Sequence, residues 1–187
     1  IRDVAMMMII VSDNVATNMM IDFLGIDTIN AYIQELGCKE TVLHNPIDFV
    51  KYDKLGTTTP REYASMFTRL AKRELVSEKA SEQMLDIFKR QHYNSMLTKY
   101  FPQSLLDTED LGGEELIYVA SKSGSMDEVR ADGGIVHTPY GDYVIVIFNK
   151  SFYDPVYHAD HSATLFGARV SRMVFDQYLA LEGRLVL

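Results

Sequence analysis

Residues 5–24 carry Met, Leu and Ile at helical spacing, and the polar triplet Ser12-Asp13-Asn14 interrupts them. The pattern predicts a helix broken at that triplet and ending at Gly25. Asp27 then caps a helix running to about Leu36, which Gly37 stops. Cys38 to Thr57 holds no sustained period and contains Asn45-Pro46 and Gly56, so a long loop is expected there. Thr59-Pro60-Arg61-Glu62 opens a further helix, with Thr59 as cap, Pro60 at the first position and Glu62 completing a capping box. Tyr63, Met66, Phe67 and Leu70 form its apolar face. Ser77 or Ser81 caps another helix, which carries Met84, Leu85 and Phe88, and a short one near Ser95–Tyr100 ends at Pro102.

The period then changes from helical to alternating. Leu116–Ala120, Arg130–Thr138 and Tyr143–Asn149 read as strands, the last two joined through Pro139-Tyr140-Gly141-Asp142 as an antiparallel hairpin. Asp160 caps a closing helix from about His161 to Leu181, with Leu165, Val170, Met173, Val174 and Tyr178 as its apolar face. Residues 1–111 are thus expected to be mostly helical and residues 112–187 to supply strands and a closing helix. Together they form part of one α+β domain with a helix packed on an antiparallel sheet.

Composition narrows the function classes. The 187 residues are 47% hydrophobic, enough for a core, and their formal net charge is −8, unlike a nucleic-acid binder with its basic face. No nucleic-acid partner is expected. The single cysteine, Cys38, reads as a small buried residue, since one thiol forms no internal disulfide. The apolar run Val4–Val11 is too short to span a bilayer and lacks the flanks of a signal peptide. It reads as the end of a buried helix, with Met6, Met7, Met8, Met19 and Met20 as core filler, and so as a chain that continues upstream.

Two short motifs carry candidate chemistry, Ser12-Asp13-Asn14 and Lys122-Ser123-Gly124. Each alone is ordinary turn or strand-end chemistry. In this order, with Val15-Ala16-Thr17-Asn18 after the first, Thr57-Thr58-Thr59-Pro60 between them and Gly134-Ile135-Val136 beyond, the whole chain resembles the C-terminal portion of the serine β-lactamase and penicillin-binding superfamily, class A in particular. The resemblance implies the β-lactamase/transpeptidase-like fold and a serine hydrolase acting on β-lactams through an acyl-enzyme. It makes Ser12 and Lys122 catalytic, Ser12 relaying a proton to the leaving amine and Lys122 supplying the cation. Asn14, Ser123, Gly124 and Ser125 would bind substrate, the Ser125 N–H as half of an oxyanion hole. Asp13 would organise the loop. No cofactor is implied, and His158, Asp160 and His161 are read as ordinary residues of a helix start rather than a metal site. The expected partner is a small-molecule β-lactam or D-Ala-D-Ala peptide, and the expected location is periplasmic or secreted.

The chain departs from the family pattern in three places. No lysine has a serine three residues before it, so the nucleophile's Ser-x-x-Lys motif is expected upstream of Ile1, in a missing N-terminal segment of the same fold. The loop Val42–Phe49 lacks the Glu-x-x-Leu-Asn motif whose glutamate activates the deacylating water, and Asp48 is the nearest acid. Tyr143 stands where many class A enzymes have an arginine, with Arg130 as a substitute for holding the carboxylate. The alternatives are a penicillin-binding D-Ala-D-Ala carboxypeptidase or transpeptidase and a non-catalytic binding or sensor domain of the same fold. Glu114-Glu115 reads as a solvated loop.

Overall fold

The computed structural model describes residues 1–51, 54–106, 116–152 and 157–181. Its elements are α1 (Arg2–Ile10), α2 (Asn14–Leu24), α3 (Ile26–Glu35), β1 (Val42–Leu43), β2 (Gly56–Thr57), α4 (Pro60–Ala71), α5 (Glu78–Lys89), α6 (Gln103–Leu106), β3 (Tyr118–Met126), β4 (Val129–Thr138), β5 (Gly141–Lys150) and α7 (Ser162–Leu181). The architecture is α+β, as the pattern predicts. The boundary at residues 111/112 and the pair Glu114-Glu115 lie outside the described residues.

β3, β4 and β5 form an antiparallel meander in that order, which leaves one edge of β3 and one of β5 unpaired within it. Alternation along the strands divides the core between its two faces. Val136, Ile145 and Ile117 pack with Leu97, Phe101, Phe175 and Leu179 on the α7 face. Ala120 and Ile135 pack with Phe67, Leu70 and Leu85 of α4 and α5 on the other. Gly134 is required where β4 passes β3, because a Cβ there would lie 2.4 Å from the Ala120 carbonyl oxygen.

Several local expectations change. Gly25, at φ +81°, rather than Asp27 sits at the start of α3, and Asp27 lies in its first turn. Thr59 caps α4 by accepting from the Glu62 N–H, but the Glu62 carboxylate turns away to accept from the Glu40 N–H and the Thr41 hydroxyl, so the capping box is half made. Ser77 caps α5, while buried Ser81 both donates to and accepts from the Leu75 backbone. No helix forms over Ser95–Tyr100, because the Leu97 N–H is taken by Asp132 and its carbonyl by Ser171. The short helix follows Pro102 instead. His161, not Asp160, caps α7 through its Nδ1, which accepts from the Ala163 N–H, and Asp160 pairs with Lys99 at 2.9 Å. The buried face of α7 is Ala168, Ser171, Phe175 and Leu179, whereas Met173 and Val174 are exposed. Met7 and Met19 are likewise exposed, on faces of α1 and α2 that nothing covers among the described residues.

The stretch between α3 and α4 is no free loop. β1 and β2 pair, and two asparagines clamp the chain from the helices. Asn30 donates to the Leu43 carbonyl and accepts from its N–H, both at 2.8 Å, and Asn18 does the same for Ile47 at 2.9 and 2.8 Å. Each amide presents a donor and an acceptor side by side, as a neighbouring strand would.

Candidate active site

Ser12 lies between α1 and α2 with φ +54°, a left-handed conformation that costs a non-glycine residue about 1–3 kcal/mol and must be held by its surroundings. The holds are visible. Asp13 accepts from the Ala16 N–H at 2.7 Å and caps α2. On the other side, the His92 N–H donates to the Ile10 carbonyl at 3.0 Å and the Tyr93 hydroxyl to the Val11 carbonyl at 3.1 Å. The segment after α5 thus fixes the backbone just before Ser12.

Lys122 projects from β3 and meets Ser12 across 110 residues of sequence, its Nζ donating to the Ser12 hydroxyl at 2.9 Å and to the Ser123 carbonyl at 2.6 Å. Burial holds its pKa below the usual 10.5, and the Asp132 carboxylate opposes that shift. The Tyr63 hydroxyl donates to the Lys122 carbonyl at 2.9 Å, and burial followed by the Asp132 charge raises its own pKa. Among the described residues Lys122 is also the sole charged one lining an apolar cavity of about 380 Å³ between α1, α3, α4 and α5, walled by Ile9, Ile33, Phe67, Leu70 and Phe88.

The remaining candidates fall around this pair unevenly. Asn14 opens α2 and is exposed; Ser123 is half-buried, and Gly124 and Ser125 are on the edge strand β3, Gly124 exposed. A Cβ on Gly124 would meet nothing within 4 Å, so the chain's own packing does not require glycine there. Arg130 stands apart. The strand register puts it opposite Ser125, on the α7 face, whereas Lys122 opposite Gly133 faces α4. Arg130 is 3% exposed, donates to the Met126 and Val129 carbonyls and lies over the Tyr157 ring at 4.4 Å. Buried there, it braces the β3–β4 turn, on the face of the sheet opposite to that of Lys122. Tyr143 also lies on the α7 face, against Tyr178. Asp48 accepts from the Val50 and Lys51 N–H groups and so closes a local turn. Cys38 is buried, with its Sγ 3.8 Å from the Ser65 hydroxyl. Among the described residues no group of three or more His, Cys, Asp or Glu is placed to hold a metal, and no helix is long and apolar enough to cross a membrane.

Sequence reading missed Tyr63, the His92-Tyr93 brace and Asp132. Asp132 alone left a signal: a carboxylate at an inward position of a strand, followed by Gly133-Gly134.

The profile of the beta-lactamase enzyme family matches residues 1–178. Among solved structures, a beta-lactamase from Sphaerobacter thermophilus superposes with a TM-score of 0.77 at 26% identity, over 94% of this chain and 62% of that one. PBP-A superposes with a TM-score of 0.73 at 30% identity, over 94% and 60%. A class A beta-lactamase representative from Bacteroides cellulosilyticus gives 0.73 at 23% identity, over 94% and 62%. The chain therefore spans less than two thirds of the length of each of these structures. No curated protein sequence matches it significantly. With a family profile covering nearly all of its length, and with the β-lactamase/transpeptidase-like fold in its helices and sheet, this chain belongs to the beta-lactamase enzyme family.

Proposed function

We propose that Ser12 and Lys122 are the proton-relay and cation part of an acyl-transfer site for β-lactams, completed by a serine nucleophile from residues of the same protein outside this chain. The observation that carries the reading is the 2.9 Å contact between Lys122 Nζ and a Ser12 held in a left-handed conformation. In this reading the Ser12 hydroxyl passes a proton to the leaving nitrogen, and the Lys122 ammonium favours the charged forms of its neighbours and attracts the substrate carboxylate. Ser123 and Asn14 hydrogen-bond the substrate, and Gly124 leaves room for its backbone. The two-residue turn Asp127-Glu128 closes on Met126 and Val129, and hydrogen-bonded pairs alternate along the ladder, which turns the Ser125 N–H toward the free edge as an oxyanion donor. The apolar cavity beside Lys122 is the seat of the segment that brings the nucleophile, since an exposed groove of that character needs an apolar cover. The substrate reaches the site from outside the cytoplasm, where this family's cell-wall chemistry takes place.

The test is intact mass before and after penicillin G, on the protein as its cells make it. A mass above 21.3 kDa that gains a penicillin adduct supports the reading, as does an acylation rate about 10²-fold lower in Lys122→Ala. Normal acylation in Lys122→Ala would refute the role given to Lys122. A penicillin-binding carboxypeptidase or transpeptidase is favoured over efficient hydrolysis by one observation: Asp48, the acid nearest the expected place in the 42–49 loop, is engaged by the local backbone. A variant of PBP-A has been captured as an acyl-enzyme with penicillin G. A long-lived adduct here points to the same behaviour, and rapid release points to a β-lactamase.

A further inference from the structure

Asp132 is an ionisable side chain 1% exposed inside the sheet, and no step of acyl transfer uses it. Its carboxylate accepts from the Gly133 N–H at 2.9 Å and from the Leu97 N–H at 3.2 Å. Burial pushes its pKa up to about 7, against the opposing pull of those N–H groups and of Lys122.

Two routes lead from this carboxylate to the Ser12–Lys122 pair. One is electrostatic. β3 and β4 pair so that Asp132 lies opposite Ser123 and Gly133 opposite Lys122. Asp132 and Lys122 project from opposite faces of the sheet, and the only residue opposite Lys122 on β4, Gly133, has no side chain, so sheet backbone, a medium less polarisable than water, separates the two charges. The other route is mechanical. The Leu97 peptide is held at both ends, by Asp132 at its N–H and by the Ser171 hydroxyl at its carbonyl (2.8 Å). The same segment carries His92 and Tyr93, which bond the Ile10 and Val11 carbonyls next to Ser12.

We propose that Asp132 is a positioning residue for this site: its buried carboxylate is the through-sheet counter-charge of Lys122 and, by gripping the Leu97 peptide, fixes the segment against which Ser12 is set. Tyr63 of α4 donates to the Lys122 carbonyl. Arg130, two residues along β4 on the same face as Asp132, donates to the Val129 carbonyl and lies over the Phe152 and Tyr157 rings. α7 contributes the neutral Ser171. The catalytic consequence rests on the acyl-transfer reading, so the test reads the pair itself rather than turnover.

The experiment follows the Lys122 side-chain 13Cε signal with pH by NMR in the protein as its cells make it, assigned by its loss in Lys122→Met. Asp132→Asn is expected to lower the Lys122 midpoint, and Ser171→Ala, which loosens the same peptide without touching charge, to leave it in place. Both variants are expected to shift the amide signals of Ser12, His92 and Tyr93. An unmoved Lys122 midpoint in Asp132→Asn, or an equal move in Ser171→Ala, overturns the proposal. If Asp132→Asn does not fold, the wild type decides: the Lys122 signal must show a second inflection as Asp132 titrates, and a single inflection overturns the coupling. Failure to form a penicillin adduct alongside a positive NMR result would defeat the acyl-transfer reading and leave this one standing.

Discussion

Replacing Asp132 by asparagine removes a titration without emptying the site, and its consequence for stability can be worked out with its sign. The folded pKa is raised from 3.8 to about 7, because burial disfavours the carboxylate. Between those values the native state binds more protons than the unfolded chain, so this contribution to stability is fully present below about pH 4 and is lost as pH rises to about 7. Each pH unit in that window is worth about 1.4 kcal/mol, so the loss amounts to up to about 4 kcal/mol. The asparagine side chain cannot ionise, although its amide NH2 would face one of the two backbone donors at a cost of about 1–3 kcal/mol at every pH. Urea unfolding of both proteins at pH 5, 6, 7 and 8 isolates the effect, because what the two proteins share cancels in the difference. The wild type is expected to lead at pH 5 and to lose that lead by pH 8. Between pH 5 and pH 8 the loss is about 2.7 kcal/mol, so with m of about 2–3 kcal/mol per molar urea the relative midpoint moves by about 1 M. Parallel curves would refute the buried titration.

Gly134→Ala is expected to cost about 2–3 kcal/mol in thermal unfolding, because the new Cβ would lie 2.4 Å from the Ala120 oxygen and 2.6 Å from the Ser121 Cβ. Gly124→Ala, with open space at its Cβ, is expected to stay within about 1 kcal/mol of the wild type yet to slow penicillin acylation. Asn30→Ala removes both bonds to Leu43 and is expected to cost about 2 kcal/mol, with faster hydrogen exchange at the Leu43 amide as the check. Ser12→Gly is expected to be more stable than Ser12→Ala by about 1 kcal/mol, since glycine occupies φ +54° without strain, and equal stabilities would argue against that strain.

Much of the fold is legible in the sequence because it rests on local rules. The break at Ser12-Asp13-Asn14, the Thr59-Pro60 helix start and the β4–β5 hairpin all follow from residues within a few positions of one another, and all three appear. Differences arise where a distant group claims a local bond. Ser95–Tyr100 has helical composition, but Asp132 and Ser171 take the Leu97 backbone from 35 and 74 residues away. Glu62 leaves its capping box for Glu40 and Thr41, 22 and 21 residues distant. The face of α7 departs from expectation because hydrophobicity ranks Met173 and Val174 above Ala168 and Ser171, whereas close packing on the sheet favours the small residues. In the candidate site, the motifs name Ser12 and Lys122 but do not reveal that Arg130 lies on the opposite face of the sheet. That depends on strand parity, and a one-residue change of register would reverse it.

Lys122 offers three N–H donors, and the described residues supply two acceptors, the Ser12 hydroxyl and the Ser123 carbonyl. It stands in the wall of an otherwise uncharged cavity, where a cation with an unfilled donor costs stability. Methionine there would keep the length of the side chain and suit the Phe67, Leu70 and Phe88 wall. On stability alone methionine therefore suits this position better than lysine, and in the acyl-transfer reading the missing acceptor is a substrate carboxylate or a nucleophilic hydroxyl. Lys122→Met is accordingly expected to hold or raise the urea midpoint while abolishing penicillin acylation, the trade expected of a residue kept for function. A loss of more than about 1 kcal/mol in Lys122→Met would show instead that the Ser12–Lys122 bond serves the fold.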